Sequence, residues 1–283
     1  MRRRLRGLVP YLFLVPGGLW LIAFFVVPML VMASVSLQEG SLGTGYRMTW
    51  NFGIYPEVIA DAWTQLSRSI VYALIVTIAT LLIGFPMAYT IAFRGGRFKN
   101  ILLLLVILPF FTAFIIRTLS WKLILADNGF VLGTLKDLGL LAPTTHVLAS
   151  PLAVIGGLTY NFLPFMVLPL YVALEKIDPH LMEAATDLYA SRRHAFLRVT
   201  LPLAMPGVFA GSLLVFIPTV GDFINADILG SRDTTMIGNV IQRLFLATNA
   251  YPEASALGFV LMAAVLVLVA IYARVVGARE LTV

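Results

Sequence analysis

Glu175-Lys-Ile-Asp-Pro-His-Leu-Met-Glu-Ala-Ala-Thr-Asp-Leu-Tyr-Ala-Ser-Arg-Arg-His-Ala-Phe-Leu-Arg-Val-Thr-Leu-Pro202 is a polar stretch set between two apolar runs. Asp178 followed by Pro179 is a helix start, because a carboxylate at the N-cap takes a free backbone N–H and proline's fixed φ suits the first helical position. A short helix then runs to about Leu188. Ser191 offers a second N-cap, opening a helix through Ala195, Phe196 and Val199. The expected form is helix, turn, helix, lying on one membrane face and leading into the apolar segment at Leu201-Pro202.

Outward from this stretch the chain has the composition of a protein dissolved in lipid. Of 283 residues 60% are hydrophobic and only 12% charged, with a mean hydropathy of +0.93. Soluble domains carry about a quarter charged residues, so this chain lacks the means to cover a water-facing surface. A crossing helix needs roughly 20 apolar residues, and six spans are read at about 9–37, 69–93, 100–125, 151–174, 199–227 and 254–277. The fold expected is an all-α membrane protein, one transmembrane domain over 1–283 with an inner polar loop at 175–200. The basic start Met1-Arg-Arg-Arg-Leu-Arg6 resembles a secretory signal. A cleaved signal has an apolar core of roughly 7–15 residues; this run is far longer and reads as a retained span.

Lys and Arg collect in cytoplasmic loops. Thirteen fall on one side: Arg2, Arg3, Arg4, Arg6, Arg94, Arg97, Lys99, Lys176, Arg192, Arg193, Arg198, Arg274 and Arg279. Seven fall on the other: Arg47, Arg68, Arg117, Lys122, Lys136, Arg232 and Arg243. Both termini are therefore expected in the cytoplasm. The net charge of +6 reflects this asymmetry and gives no sign of nucleic acid.

The absence of cysteine excludes disulfides and thiolate chemistry. His146, His180 and His194 lie far apart, so no helical metal pair is expected. No Gly-x-x-x-x-Gly-Lys-Ser/Thr phosphate loop occurs, so no catalytic residue, metal or cofactor is assigned to this chain.

Glu183-Ala184-Ala185, followed at this spacing by Leu201-Pro202 and Pro206, resembles the EAA loop of binding-protein-dependent ABC importer permeases. Pro109-Phe-Phe-Thr-Ala-Phe-Ile-Ile-Arg-Thr-Leu-Ser-Trp121, Asp127-Asn-Gly129, Ile217-Pro-Thr-Val-Gly-Asp-Phe223, Asp227-Ile-Leu-Gly230 and Ile237-Gly-Asn-Val-Ile241 are similar to the spermidine/putrescine (PotB-type) permease group. The resemblance covers essentially the whole chain. It implies a type I, MetI-like importer fold in the bacterial inner membrane. It also implies a second permease of PotC type, two ATPase subunits of PotA type holding ATP and Mg, and a substrate-binding protein of PotD type. In such a loop Ala184 and Ala185 would allow close approach to the ATPase, Phe196 would fill a pocket on it, and Glu183, Arg192 and Arg193 would supply polar partners. The family has glycine in the turn between the two helices; here the position is Tyr189, which is expected to need a different turn geometry because positive φ is free of steric cost only for glycine.

Candidate pathway residues come from the cost of charge in lipid, roughly 2.5–3.5 kcal/mol for a carboxylate at mid-bilayer. Asp222 and Asp227 end the fifth apolar run. Carboxylates there would attract the ammonium groups of a di- or triamine, with Phe223 adding cation–π contact. The alternative is that both lie in the headgroup region, solvated or paired with Arg232 or Arg117. Arg117 is expected to pair with an acid or to anchor at the outer interface. Trp121, Tyr160 and Asn161 are further candidates, although Tyr and Trp near span ends also fit an interfacial belt.

Alternating access follows from these parts: ATPase closure pushes the segment from Glu183 to Thr200 and tilts spans three to five. Pro109, Pro164, Pro169, Pro206 and Pro218 are the expected bends. A secondary transporter or channel is the rival reading, but such proteins commonly show inverted repeats and none is visible here. Glu183→Arg is predicted to leave ATP hydrolysis running while uptake falls; hydrolysis and uptake measured together on reconstituted complex check this, and retained coupling counts against docking at this loop.

Overall fold

The computed structural model describes residues 15–178, 180, 181, 185, 187 and 189–276. Five helices are long and apolar enough to cross a membrane: α1 (Val15–Ser36), α2 (Ile54–Arg94), α6 (Pro151–Glu175), α7 (Arg192–Val220) and α10 (Tyr251–Val276). A bent pair, α3 (Gly96–Phe111) and α4 (Phe114–Ile124), which meet at 94°, is together long and apolar enough to count as a sixth. Shorter helices are α5 (Phe130–Asp137), α8 (Ile224–Leu229) and α9 (Ile237–Leu246). An antiparallel hairpin, β1 (Gln38–Ser41) with β2 (Gly45–Met48), pairs Gln38 with Met48 and Ser41 with Gly45.

Two of the spanning helices loosen at the same kind of place. In α1 the Val27 N–H reaches back five residues to the Ile22 carbonyl, and Pro28 follows. In α7 the Leu201 N–H reaches back to Phe196, and Pro202 follows. A proline has no N–H and its ring presses on the carbonyl four residues earlier; a π turn makes room without breaking the helix.

The residues form two compact units. In the first, up to Ala62 with Ile241–Met262, the hairpin is fastened by Tyr46, whose hydroxyl donates to the Asn249 carbonyl. The Tyr251 ring lies 5.5 Å from Tyr46 and 5.0 Å from Phe245. In the second, Trp63–Val240 with the chain from Ala263, the core is the crossing of α6 and α7. Leu158, Met166, Leu170 and Leu174 on α6 are fully buried, as are Ala204 and Val215 on α7. Lys99 meets Glu175 at 2.5 Å, joining the start of α3 to the end of α6.

The α6–α7 crossing rests on Gly207 and Gly211. A Cβ on Gly207 would stand 2.6 Å from Ala173 Cβ and 2.7 Å from the Pro169 carbonyl; one on Gly211 would stand 2.8 Å from Met166 Sδ. Lipid gives helices no hydrophobic drive to associate, so close backbone approach through small residues four apart supplies the packing.

Three boundaries differ from the apolar runs. Helix α2 begins at Ile54, not near 69: its first turns carry Glu57, Asp61 and Arg68 but bury Ile54, Val58, Ala62 and Leu66 at helical spacing. The third span is broken, because Pro109 lies in a 3₁₀ turn and Thr112 is extended at φ −95, ψ 137. The fifth ends at Val220, and 224–229 form the separate α8. Pro164, Pro169, Pro206 and Pro218 sit inside continuous helices. Residues 9–14 and 277 of the expected spans lie outside the described residues.

Gly207→Val is predicted to cost about 1–3 kcal/mol through overpacking, lowering Tm in detergent. Gly156→Ala is the control, since nothing lies within 4 Å of its added Cβ, and its Tm is predicted to hold or rise.

Candidate functional site

The polar segment before α7 is built by its caps. Asp178 Oδ1 accepts the His180 N–H at 3.0 Å, and Ser191 Oγ accepts the His194 N–H at 3.3 Å. Between them the Ala190 N–H bonds the Ala185 carbonyl at 3.0 Å, the six-to-one closure of a helix ending in a left-handed residue. That residue is Tyr189 at φ 57. The expectation of a different turn is therefore corrected: tyrosine holds the conformation that glycine would take, at a steric cost of about 1–2 kcal/mol. Its ring is 98% exposed. Arg192 and Arg193 are exposed beside it, and Ala185 is half-buried. Glu183 and Ala184 lie outside the described residues.

Phe196 is half-buried, its ring packed edge-on against Phe85 at 5.6 Å and Tyr89 at 6.1 Å of α2, so it fastens the segment to its own bundle. An aromatic ring on a segment leading into a span is drawn to the apolar helix beside it.

The pathway candidates separate into three groups. Trp121 on α4 and Tyr160 on α6 face each other at 5.3 Å, T-shaped. Phe223 and Asp227, four residues apart at α8, are both exposed, and among the described residues the Asp227 carboxylate has no hydrogen-bond or ion-pair partner. Asp222 and Asn161 are buried at 8% and 1% exposure and belong to one polar network with Arg117, Thr118 and Asn225. Arg117 Nε donates to Asn161 Oδ1 at 2.5 Å. Asn161 Nδ2 donates to Asn225 Oδ1 at 2.8 Å and to Thr118 Oγ1 at 3.2 Å. Asn225 gives its backbone N–H to Asp222 Oδ1 at 2.8 Å and its Nδ2 to Asp222 Oδ2 at 3.1 Å.

Neither expected partner of Asp222 or Asp227 is found: among the described residues no carboxylate pairs directly with Arg117 or Arg232. Arg117 instead donates Nη1 to the Pro109 carbonyl at 2.8 Å and lies over the Phe110 and Phe114 rings at 5.4 and 5.5 Å. It thereby pins the two halves of the broken span. Thr118 and Asn225 were not singled out from the sequence; Asn225, three residues after Asp222, was the visible signal. Near the Asp127-Asn-Gly129 turn, hydrogen bonds from Lys136 at 2.9 Å and with His146 at 2.6 Å hold the Asp127 carboxyl below the usual range.

This arrangement, spanning helices broken around buried polar groups with a capped polar hairpin entering one of them, is that of a transport permease. One protomer of a bacterial alginate ABC transporter, solved with its pentasaccharide-bound periplasmic protein, matches it with a TM-score of 0.70 at 22% identity over 96% of this chain and 95% of its own. Residues 81–280 match the model of the binding-protein-dependent transport system inner membrane component, and the chain belongs to that family. It is 40% identical to the spermidine/putrescine transport system permease protein PotB of Haemophilus influenzae over 90% of each chain. It is 35% identical to that of Escherichia coli over 90% of this chain and 93% of the relative. It is thus a multi-pass inner-membrane permease subunit of an ABC importer, working with a binding protein and partner subunits.

Tyr189→Gly is predicted to raise Tm by about 1–3 °C, relief of the left-handed strain outweighing glycine's greater unfolded-state freedom. Thermal unfolding of the purified chain checks it, and a lower Tm would show that the tyrosine ring stabilises the turn.

Proposed function

We propose that this chain is the PotB-type half of a polyamine importer, paired with a PotC-type permease, driven by two PotA-type ATPases and supplied by a PotD-type binding protein. The 35–40% identity to spermidine/putrescine permeases supports the cargo. ATP and Mg belong to the ATPases, and this chain performs no chemistry of its own. Both termini face the cytoplasm, in keeping with the thirteen Lys and Arg on that side.

The observation that carries the mechanism is the continuity of α7. It runs 29 residues from Arg192 to Val220, roughly 43 Å at helical rise, joining the capped hairpin at one end to α8 just past Gly221 at the other. Docking of the ATPase on Glu183, Ala184, Ala185, Tyr189, Arg192 and Arg193 moves the near end, and the contact of Phe196 with Phe85 and Tyr89 of α2 is the pivot about which α7 turns. The displacement reaches Phe223 and Asp227. An exposed carboxylate and an aromatic face four residues apart suit an alkylammonium, the first by charge-assisted hydrogen bonding and the second by cation–π attraction. Trp121 and Tyr160 extend the aromatic lining. Asp222 serves the site from behind, both of its oxygens being held by Asn225.

Asp227→Asn is predicted to raise the KM for spermidine uptake about tenfold or more, as loss of a charged hydrogen bond worth about 1.5–3 kcal/mol requires. Labelled spermidine entering proteoliposomes with the assembled complex measures it; wild-type KM would remove Asp227 from the pathway.

A further inference from the structure

The buried network has a direction. The Arg117 N–H enters the Asn161 carbonyl, the Asn161 amide N–H enters the Asn225 carbonyl, and the Asn225 amide N–H enters the Asp222 carboxylate. The guanidinium fixes which way Asn161 points, and Asn161 fixes Asn225. Two amide dipoles thus stand head to tail between a cation and an anion, each polarising the next in a low-dielectric interior. A charge removed from water in lipid is strongly unfavourable unless compensated, and the chain of amides supplies that compensation to Arg117 and Asp222 without bringing them into contact.

We infer that Asp222, Asn225 and Asn161 are positioning residues for transport, a relay that ties α8 to the pin of the broken span and so presents Phe223 and Asp227 on the exposed face. This rests on the reading of α8 as the cargo-facing element. The relay joins three elements at once: Arg117 and Thr118 on α4, Asn161 on α6, and Asn225 on α8. Gly157 on α6 leaves the room it needs, since a Cβ there would stand 2.3 Å from Leu229 Cδ1 and 3.3 Å from Asn225 Oδ1. Asp222 itself offers cargo little: it is 8% exposed and both oxygens accept from Asn225.

The direction of the relay gives a test that separates positioning from cargo binding. Asp222→Asn sets two amide N–H groups against each other at the end of the chain. The exchange Asp222→Asn with Asn225→Asp restores every donor–acceptor match: Asn161 Nδ2 then donates to the new carboxylate at 225, which also accepts from the new amide at 222. In the complex assembled with its partner subunits, Asp222→Asn is expected to lower Vmax about tenfold with KM within about twofold. Its Tm is expected to fall by about 5 °C. The exchange is expected to return Vmax to within about twofold of wild type and to recover most of the Tm. If Asp222→Asn fails to assemble, assembly regained by the exchange carries the same meaning.

Asp222→Asn with wild-type Vmax and Tm overturns the relay, as does an exchange no better than the single variant. A rise in KM that the exchange leaves uncorrected would place the Asp222 carboxylate on the cargo. Should the wild-type complex take up no polyamine, the proposed cargo falls while rescue of Tm still decides the relay.

Discussion

Inside a bilayer no water stands ready to satisfy a backbone N–H, a carbonyl or a charge, and each departure from plain helix in this chain answers to that constraint. Where Pro28 and Pro202 remove donors, the preceding turn widens and the helix continues. Where the third span breaks after Pro109, that residue's carbonyl accepts both the Thr112 N–H and Arg117. The guanidinium needs its own compensation and receives it through Asn161 and Asn225 from Asp222. Break, cation and anion are therefore one interdependent unit.

That unit explains how a permease can be rigid and mobile in different places. The α6–α7 crossing, with glycines at 207 and 211 admitting neighbouring atoms to a distance no side chain would tolerate, has little freedom to slide. The six-residue α8 is short and detached from α7 by Gly221. Its place is set by the buried Ala226 and Leu229 and by hydrogen bonds, through Asn225 to α6 and α4 and through the Phe223 carbonyl, which accepts from Asn239 at 2.8 Å. Hydrogen bonds of this kind exchange partners at modest free-energy cost, whereas a packed helix crossing does not.

Much of the bundle was legible in the sequence because lipid imposes length and composition so strictly: the cores of five spans, and the caps at Asp178 and Ser191, follow from apolar runs and capping chemistry alone. The first turns of α2 were hidden because Glu57 and Asp61 are exposed beside its buried stripe and Arg68 donates to the Thr235 carbonyl, and a hydropathy scan averages over faces. The bend at Pro109 was expected, but its continuation through the extended Thr112 and then Ala113 involves residues with no special turn preference. Tyr189 was misread, since it was denied a conformation that the Ala190–Ala185 closure imposes on it, and the packing of Phe196 on Phe85 and Tyr89 was not foreseen. The relay was half visible, since Asp222, Arg117 and Asn161 stood out as polar residues in apolar surroundings, while only three-dimensional contact shows that Asn225 joins them.

The claim on which the transport mechanism turns is that α7 carries displacement from the hairpin to α8 without bending. Spin labels at Leu197 and Ile217, exposed at 47% and 45%, report its length, and a label at Leu74 on α2, exposed at 48%, gives a reference. Pulsed dipolar distances in the reconstituted complex, with and without ATP, are predicted to show the 197–217 distance unchanged while the 74–217 distance shifts. A 197–217 distance that changes with nucleotide, beside a fixed 74–217 distance, would contradict the account.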